Sequence, residues 1–340
     1  MHKRVSLKDI ANKVGVSIAL VSYVMNGQEK EKRVGKEVVK KIRKAALELN
    51  YQPNQIARSL RMKSTKTIGL IVADIANPFF GQLTRIIENE ASNVGYTVIF
   101  GSSDENMYKS DALVNSLLNR QVDGFIIVPT EGTEVQIQNL LKKKISFVLI
   151  DRYFPEISTN HVVLDNFQAT YDATMQMIDN GIKNITLIAY NSKLIHMKER
   201  IRGYVEAMKS SGLDKNICVE EIRYECVNEE MEEAFTRIIN ARKRPKGLIF
   251  STNALSISGL YCMRKHSLKI HDDFAFIGFD GGESFDLFNP PLSYVQQPLE
   301  EMGKEAFNIL LELINGSKKV TQIMLDPNLI IRNNDSVKIF

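Results

Sequence analysis

The stretch SLKDIANKVGVSIALVSYVMNGQ, residues 6–28, sets two short apolar-patterned segments on either side of Gly15. Leu7, Ile10, Ala11, Val14, Val16, Val21 and Val24 fall at helical spacing, so each segment carries one apolar stripe. Ser6 and Ser17 stand where N-caps belong, and the glycine can take the positive φ that a corner of three or four residues requires. Small Ala11 lets the helices cross closely. A third amphipathic segment, residues 36–49, offers Val38, Ile42, Ala45, Ala46 and Leu49 to close a three-helix core. The pattern predicts either a plain helical hairpin or a helix-turn-helix whose second helix enters the major groove of DNA. On the outer face of that second helix stand Ile18, Ala19, Ser22, Tyr23 and Asn26. The first two suit thymine methyls, Ser22 and Asn26 suit phosphate or base edges, and Tyr23 suits either. No Arg or Lys shares that face, so bidentate guanine reading is not expected of it.

Charge favours the DNA reading over the plain hairpin. The formal net charge is only +4, yet residues 1–66 hold 16 Lys and Arg against five acids, leaving 28 basic and 35 acidic residues for the rest. A small basic module joined to a larger acidic one implies a polyanion partner at one end and a different partner at the other. Between them runs YQPNQIARSLRMKSTKT, residues 51–67, where Ile56, Ala57 and Leu60 are too few to hold a short helix together in water. It reads either as a flexible basic linker or as a helix that forms on docking. In the second case Arg58, Arg61 and Lys63 would flank the minor groove while Leu60 wedges between base steps.

From Thr67 the chain alternates apolar β-rich runs with amphipathic helices: TIGLIVAD, YTVIFG, DGFIIV, ISFVLI, HVVL, NITLIA, GLIF and DFAFIGF. Fully apolar runs between helices indicate parallel sheets covered on both faces. Eight such runs exceed one sheet, and a polar stretch near residues 151–166 divides them, so the fold class is α/β, with two doubly wound subdomains and a cleft between them. Ligands of such sheets bind beyond the carboxyl ends of the strands. Those ends carry Asp74, Ser102, Asp104, Asp151, Arg152, Asp165, Asn253 and Asp280, and Phe79, Phe80 and Tyr204 are expected to supply rings. Mixed polar groups with rings suit a small polar or polyhydroxylated molecule.

Motifs for chemistry are missing: no phosphate-binding glycine loop, no nucleophile elbow, no H-E-x-x-H. His196 with Glu199, and the GFDGG run at residues 278–282, form no metal or nucleophile constellation. The chain is therefore expected not to be an enzyme and to need no cofactor or metal. Cys218, Cys226 and Cys262 leave one over from any pairing and lack C-x-x-C spacing, which favours reduced, buried thiols. With no apolar run of membrane length and no apolar leader at the N-terminus, the expected location is the cytoplasm. A transport-type solute-binding protein would share the larger module but lack the basic one.

LKDIANKVGVS, VSYVMNG, YQPNQIARSL, IGLIVADIANPFF, VDGFIIVPT, RIRGYVEAM, FIGFDG and QPLEEMG, in this order along the whole chain, resemble the LacI/GalR family of bacterial transcriptional regulators. The resemblance implies a helix-turn-helix headpiece (residues 1–50), a hinge helix and linker (51–66), and a core like periplasmic sugar-binding proteins. The core N-terminal subdomain would comprise 67–164 with 297–325, and the C-terminal one 165–296 with 326–340. It implies a homodimer, in some members a tetramer, whose headpieces hold a pseudo-palindromic double-stranded operator and whose affinity answers to a small effector, expected to be a sugar or sugar derivative. A repressor is the expected sense of regulation. Ser6, Ser17, Ile18, Ala19, Ser22, Tyr23 and Asn26, with Asn54, Ala57 and Leu60 of the hinge, are the expected DNA-contacting positions. Phe79, Phe80, Asp151, Arg152, Arg200, Asn253, Asp280 and Gln297 are the expected effector-contacting ones. Three departures limit the transfer: Tyr23 replaces a frequent arginine, Ala254 follows Asn253 where an aspartate is usual, and the second helix reads S-Y-V-M-N instead of S-R-V-L-N. The effector could accordingly be smaller, phosphorylated or differently oriented.

Overall fold

The computed structural model of the 340-residue chain describes residues 5–51, 64–270 and 272–332. Two compact units divide after Thr65. Asn54, Ala57 and Leu60, with the rest of the expected hinge helix, lie outside the described residues.

In the first unit, α1 (Leu7–Val14), α2 (Ile18–Met25) and α3 (Lys36–Glu48) bury Ile10, Ala11, Val21, Val24, Ile42, Ala45 and Ala46 against one another. The start of α1 is a capping box: the Asp9 N–H donates to Ser6 Oγ at 3.3 Å, and Ser6 N–H donates back to Asp9 Oδ2 at 2.8 Å. Ser17 Oγ accepts from the Leu20 N–H at 3.2 Å and starts α2. Gly15, at φ 75°, makes the corner between them, a conformation that costs an L-residue a Cβ clash and glycine nothing.

The second unit contains two six-stranded sheets. The first takes its strands from β1 (Thr67–Val72), β2 (Thr97–Ser102), β3 (Gly124–Ile127), β4 (Phe147–Ile150), β5 (His161–Leu164) and β11 (Gln322–Leu325), in the order β11-β5-β4-β3-β1-β2, all parallel. The second takes β6 (Ile185–Tyr190), β7 (Val219–Ile222), β8 (Gly247–Phe250), β9 (Ala275–Phe279), β10 (Ser293–Gln296) and β12 (Asn328–Ile330). Its order is β12-β10-β9-β8-β6-β7, with only β12 antiparallel. The chain passes between the sheets near residues 165, 297 and 326. Side chains alternate between the two faces: Leu70, Ile126 and Val148 pack on one face of the first sheet, while Ile71, Ile127 and Leu149 pack on the other. Leu187 and Ile277 against Ile188 and Phe276 repeat the pattern in the second.

Among the described residues twelve strands stand where the sequence offered eight apolar runs. The four extra ones, β7, β10, β11 and β12, lie toward the sheet margins, and VEEI, QIML and NLI keep partly exposed faces that mix with polar residues. Such half-solvated strands lack the unbroken apolar signature of buried parallel strands. Among the described residues no helix is long and apolar enough to cross a membrane. The cysteines are free as expected, but only Cys262 is buried; Cys226 is half-buried and Cys218 exposed.

Candidate functional site

The second helix presents Ile18, 48 % exposed, and exposed Ala19 at its N-terminal end. Ser22, Tyr23 and Asn26 are half-buried rather than fully outward. Asn26 is the C-cap of α2, and its amide donates to Ser22 O at 2.6 Å and Ser22 Oγ at 3.1 Å, so these two polar groups engage each other. The Lys32 ammonium stands 5.9 Å from the centre of the Tyr23 ring. Ser6 and Ser17 have their side chains committed to capping. The N-terminal end of the helix thus presents an apolar, uncharged surface.

In both sheets, the switch in strand order lies beside β1 or β6, and the carboxyl ends of the two sheets line one cleft. All eight positions expected to contact an effector line it. Asn77 caps α4 (Pro78–Asn93) by accepting from the Phe79 N–H at 3.1 Å, with Pro78 at the first helical position. That cap fixes Phe79 and Phe80 edge to face, ring centres 4.9 Å apart. Beyond β4, Asp151 turns the backbone at φ 68°, and beyond β9 Asp280 does the same at φ 52°. Aspartate is among the few side chains that enter this left-handed region readily.

Two arginines lie in this wall, both committed to protein partners. Arg152 donates to both carboxylate oxygens of Glu105 at 2.7 Å and to Asp151 Oδ2 at 3.2 Å. Burial works against its charge, but Glu105 first and Asp151 second hold its pKa above the ordinary guanidinium value. Arg200 comes from α8 (Ile195–Ser210), where it donates Nε–H to Asn166 Oδ1 at 2.8 Å and an Nη–H to the Ser251 carbonyl. Its guanidinium lies over the Phe279 ring, 3.9 Å from the ring centre. Asp280 accepts from Gln297 Nε2 at 3.0 Å, and the Asn253 amide donates to the Asp280 carbonyl at 2.9 Å. Burial pushes the Asp280 carboxyl up to about 6 against the opposing pull of Arg200 and Gln297, and burial raises Asp151 in the same direction. His196, 6 % exposed, is held well below its ordinary pKa by burial and then by Arg152 and Arg200, so it stands neutral.

Sequence reasoning missed Glu105, Tyr190 and Tyr224 in this wall. Glu105 follows Asp104 directly and was within reach of the strand-end argument. Asp104 instead bonds Ser102 and Lys109, and Asp165 caps α7 (Asn166–Asp179) through the Gln168 N–H at 2.9 Å. Tyr190 is the last residue of β6, a strand end read one residue short; Tyr224 follows β7, which has no apolar signature to find. Tyr204, expected in the cleft, is fully buried in the second sheet's core. Its hydroxyl donates to the Ile185 carbonyl at 2.7 Å and accepts from the Cys218 N–H at 2.9 Å, the pairing a buried phenol needs.

Residues 6–54 match the model of bacterial regulatory proteins of the lacI family, and residues 174–333 match the periplasmic binding protein-like domain. The HTH-type transcriptional repressor PurR of Photobacterium profundum is 30% identical over 97% of this chain and 98% of its own length. Catabolite control protein A of Priestia megaterium is 30% identical over 95% of this chain and 97% of its own. These relatives are regulators, not enzymes. Among solved structures, a lac repressor dimer bound to operator and the anti-inducer ONPF superposes with a TM-score of 0.86 over 98% of this chain and 99% of that one, at 20% identity.

Proposed function

Because the chain belongs to the LacI family of bacterial regulatory proteins, and so is a DNA-binding regulator of transcription, we propose that it is a cytoplasmic repressor released or engaged by a small, uncharged, polyhydroxylated effector. The observation that carries this reading is the charge balance of the cleft. Among the described residues lining it, Asp74, Glu105, Asp151 and Asp280 face only the cations Arg152 and Arg200, and both guanidiniums already hold protein acceptors. A phosphate or carboxylate entering such a site would meet carboxylates without a free cation to pair it, a desolvation cost that nothing repays. Sugar hydroxyls, in contrast, donate to Asp280 and Asp151, and a sugar's C–H face packs on Phe79 or Phe80. The phosphorylated alternative is therefore set aside in favour of a neutral sugar or sugar derivative.

On the DNA side, the reading residues are Ile18, Ala19, Ser22 and Tyr23, supported by Asn26. One such helix offers few base contacts, so the protein acts as a homodimer, with a tetramer as a further assembly, on a pseudo-palindrome. Asn54, Ala57 and Leu60 are assigned to the minor groove between the half-sites. Selecting the operator from random DNA and titrating it with and without a panel of neutral and phosphorylated sugars tests the proposal. A neutral sugar should shift the operator affinity and its phosphate ester should not; the reverse outcome overturns the effector assignment.

A further inference from the structure

We infer that the cleft carries a clasp on the side away from its covalent crossovers, and that the bond from Tyr224 to Asp74 makes Tyr224 a positioning residue of the switch, whatever the effector. The chain passes between the sheets near residues 165, 297 and 326, beside β5 and β11 of the first sheet and β10 and β12 of the second. Opening of the cleft pivots on those crossovers and is widest in the other half of each sheet. In that half, beyond the carboxyl ends of β1, β3, β6 and β7, three contacts tie the subdomains together. Any such contact that exists only while the walls are close moves the open–closed balance that operator and effector both read.

The Tyr224 hydroxyl, beyond β7, donates to Asp74 Oδ2, beyond β1, at 3.1 Å. Beyond β6, the Lys193 N–H donates to Glu131 Oε2 at 3.2 Å, and the Lys193 ammonium stands 3.6 Å from Glu131 Oε1. The next residue, Leu194, leads into α8 yet is buried in an apolar cluster of the first sheet that includes Ile71, Ile137 and Phe154. The three contacts differ in kind. Lys193 and Glu131 are exposed, so their pairing is worth little. Leu194 acts through burial, which has no direction and tolerates small shifts. The Tyr224 bond is directional, half-buried and made to a carboxylate, so it is lost as soon as the walls part. Burial first, and then the charge of Asp74, hold the Tyr224 phenol above its ordinary pKa, so it keeps its proton and remains a donor. Both partners are supported from their own side: Asp74 Oδ1 accepts from the Ala76 N–H at 2.9 Å, and the Tyr224 ring lies 5.6 Å from that of Tyr190. The hydroxyl can therefore be removed while the ring keeps its packing.

The test is binding of the full-length protein to the DNA duplex it selects from random sequence, with no small molecule added. Neither Tyr224 nor Asp74 belongs to the headpiece, so a change in DNA affinity reports the state of the core and not a lost contact of the reading helix. Tyr224→Phe should shift that affinity by at least about twofold and up to about tenfold, the range of one hydrogen bond, and should quicken amide exchange in residues 191–194. With Asp74→Ala already in place the acceptor is gone, and adding Tyr224→Phe should then change the affinity by less than about twofold. A shift below about twofold for Tyr224→Phe alone, a shift of about twofold or more when it is added to Asp74→Ala, or unchanged exchange in residues 191–194 would overturn the inference. No sugar enters these measurements, so either result leaves the effector assignment where it stands.

Discussion

Asp280 shows how burial in the cleft makes a single residue costly to stability. Its carboxyl titrates near 6 in the folded, ligand-free protein, above the ordinary value of 3.8, because burial penalises the ionised form. The folded state therefore holds this proton more tightly than the unfolded one, and the residue's contribution to stability declines as pH rises from about 4 through about 6. An effector hydroxyl that donates to the carboxylate favours the ionised form and lowers that pKa. Effector affinity should accordingly rise between pH 5 and 7, with proton release on binding near pH 6, measurable by calorimetry in buffers of different ionisation enthalpy. Asn is a near isostere and accepts the φ of 52°. We expect Asp280→Asn to raise stability at pH 7 by on the order of 1–3 kcal/mol while removing effector binding and its proton release; unchanged thermal stability would count against the burial argument. Arg200, only 3 % exposed, is the complementary test. Arg200→Ala should abolish the effector response but leave effector-free operator binding nearly intact, and operator titrations with and without the effector decide the point. At the reading helix, Tyr23→Ala should change base preference within each half-site, as selection from random DNA would show.

At the scale of elements, Gly203 decides where Arg200 sits. Helix α8 crosses α7 so closely that a Cβ on Gly203 would lie 2.2 Å from the Phe167 carbonyl oxygen, which is backbone and has little freedom to retreat. The R-x-x-G spacing thus has a mechanical sense: one turn below the arginine, the glycine sets the depth of the helix that delivers the guanidinium to Asn166 and Ser251. Gly203→Ala should cost roughly 1–3 kcal/mol in unfolding free energy and weaken the effector more than the operator; denaturant titrations with matched binding curves measure both. Elements also mark what sequence could and could not reveal. The headpiece was legible down to its caps, because Ser6, Gly15 and Ser17 each do a local job that spacing displays. Strands buried along their whole length, such as β3, β4 and β8, were legible as apolar runs. The half-exposed β7 was not, and with it went Tyr224, whose place in the cleft comes from long-range pairing of β7 with β6. Tyr204 misled for a related reason: a tyrosine on an amphipathic helix reads the same whether its hydroxyl meets a ligand or a buried carbonyl.

For the whole molecule, two modules of opposite charge are legible in the sequence, and the eight positions named from it, scattered between residues 79 and 297, line one cleft. The pairing of Arg152 with Glu105, which removes the cleft's apparent affinity for anions, needed coordinates, since nothing local links residues 47 apart in sequence. Function at this scale is a coupling between two binding events, and a ligand can shift operator affinity only by its own differential affinity for the two states. Typical coupling amounts to about 1–3 kcal/mol, or roughly 5- to 150-fold. The most direct measurement is a closed thermodynamic cycle: operator affinity without and with saturating amounts of the tightest-binding sugar, and sugar affinity without and with saturating operator. The account requires both ratios to differ from one and to be equal to each other. A sugar that binds the cleft yet leaves operator affinity unchanged would contradict it.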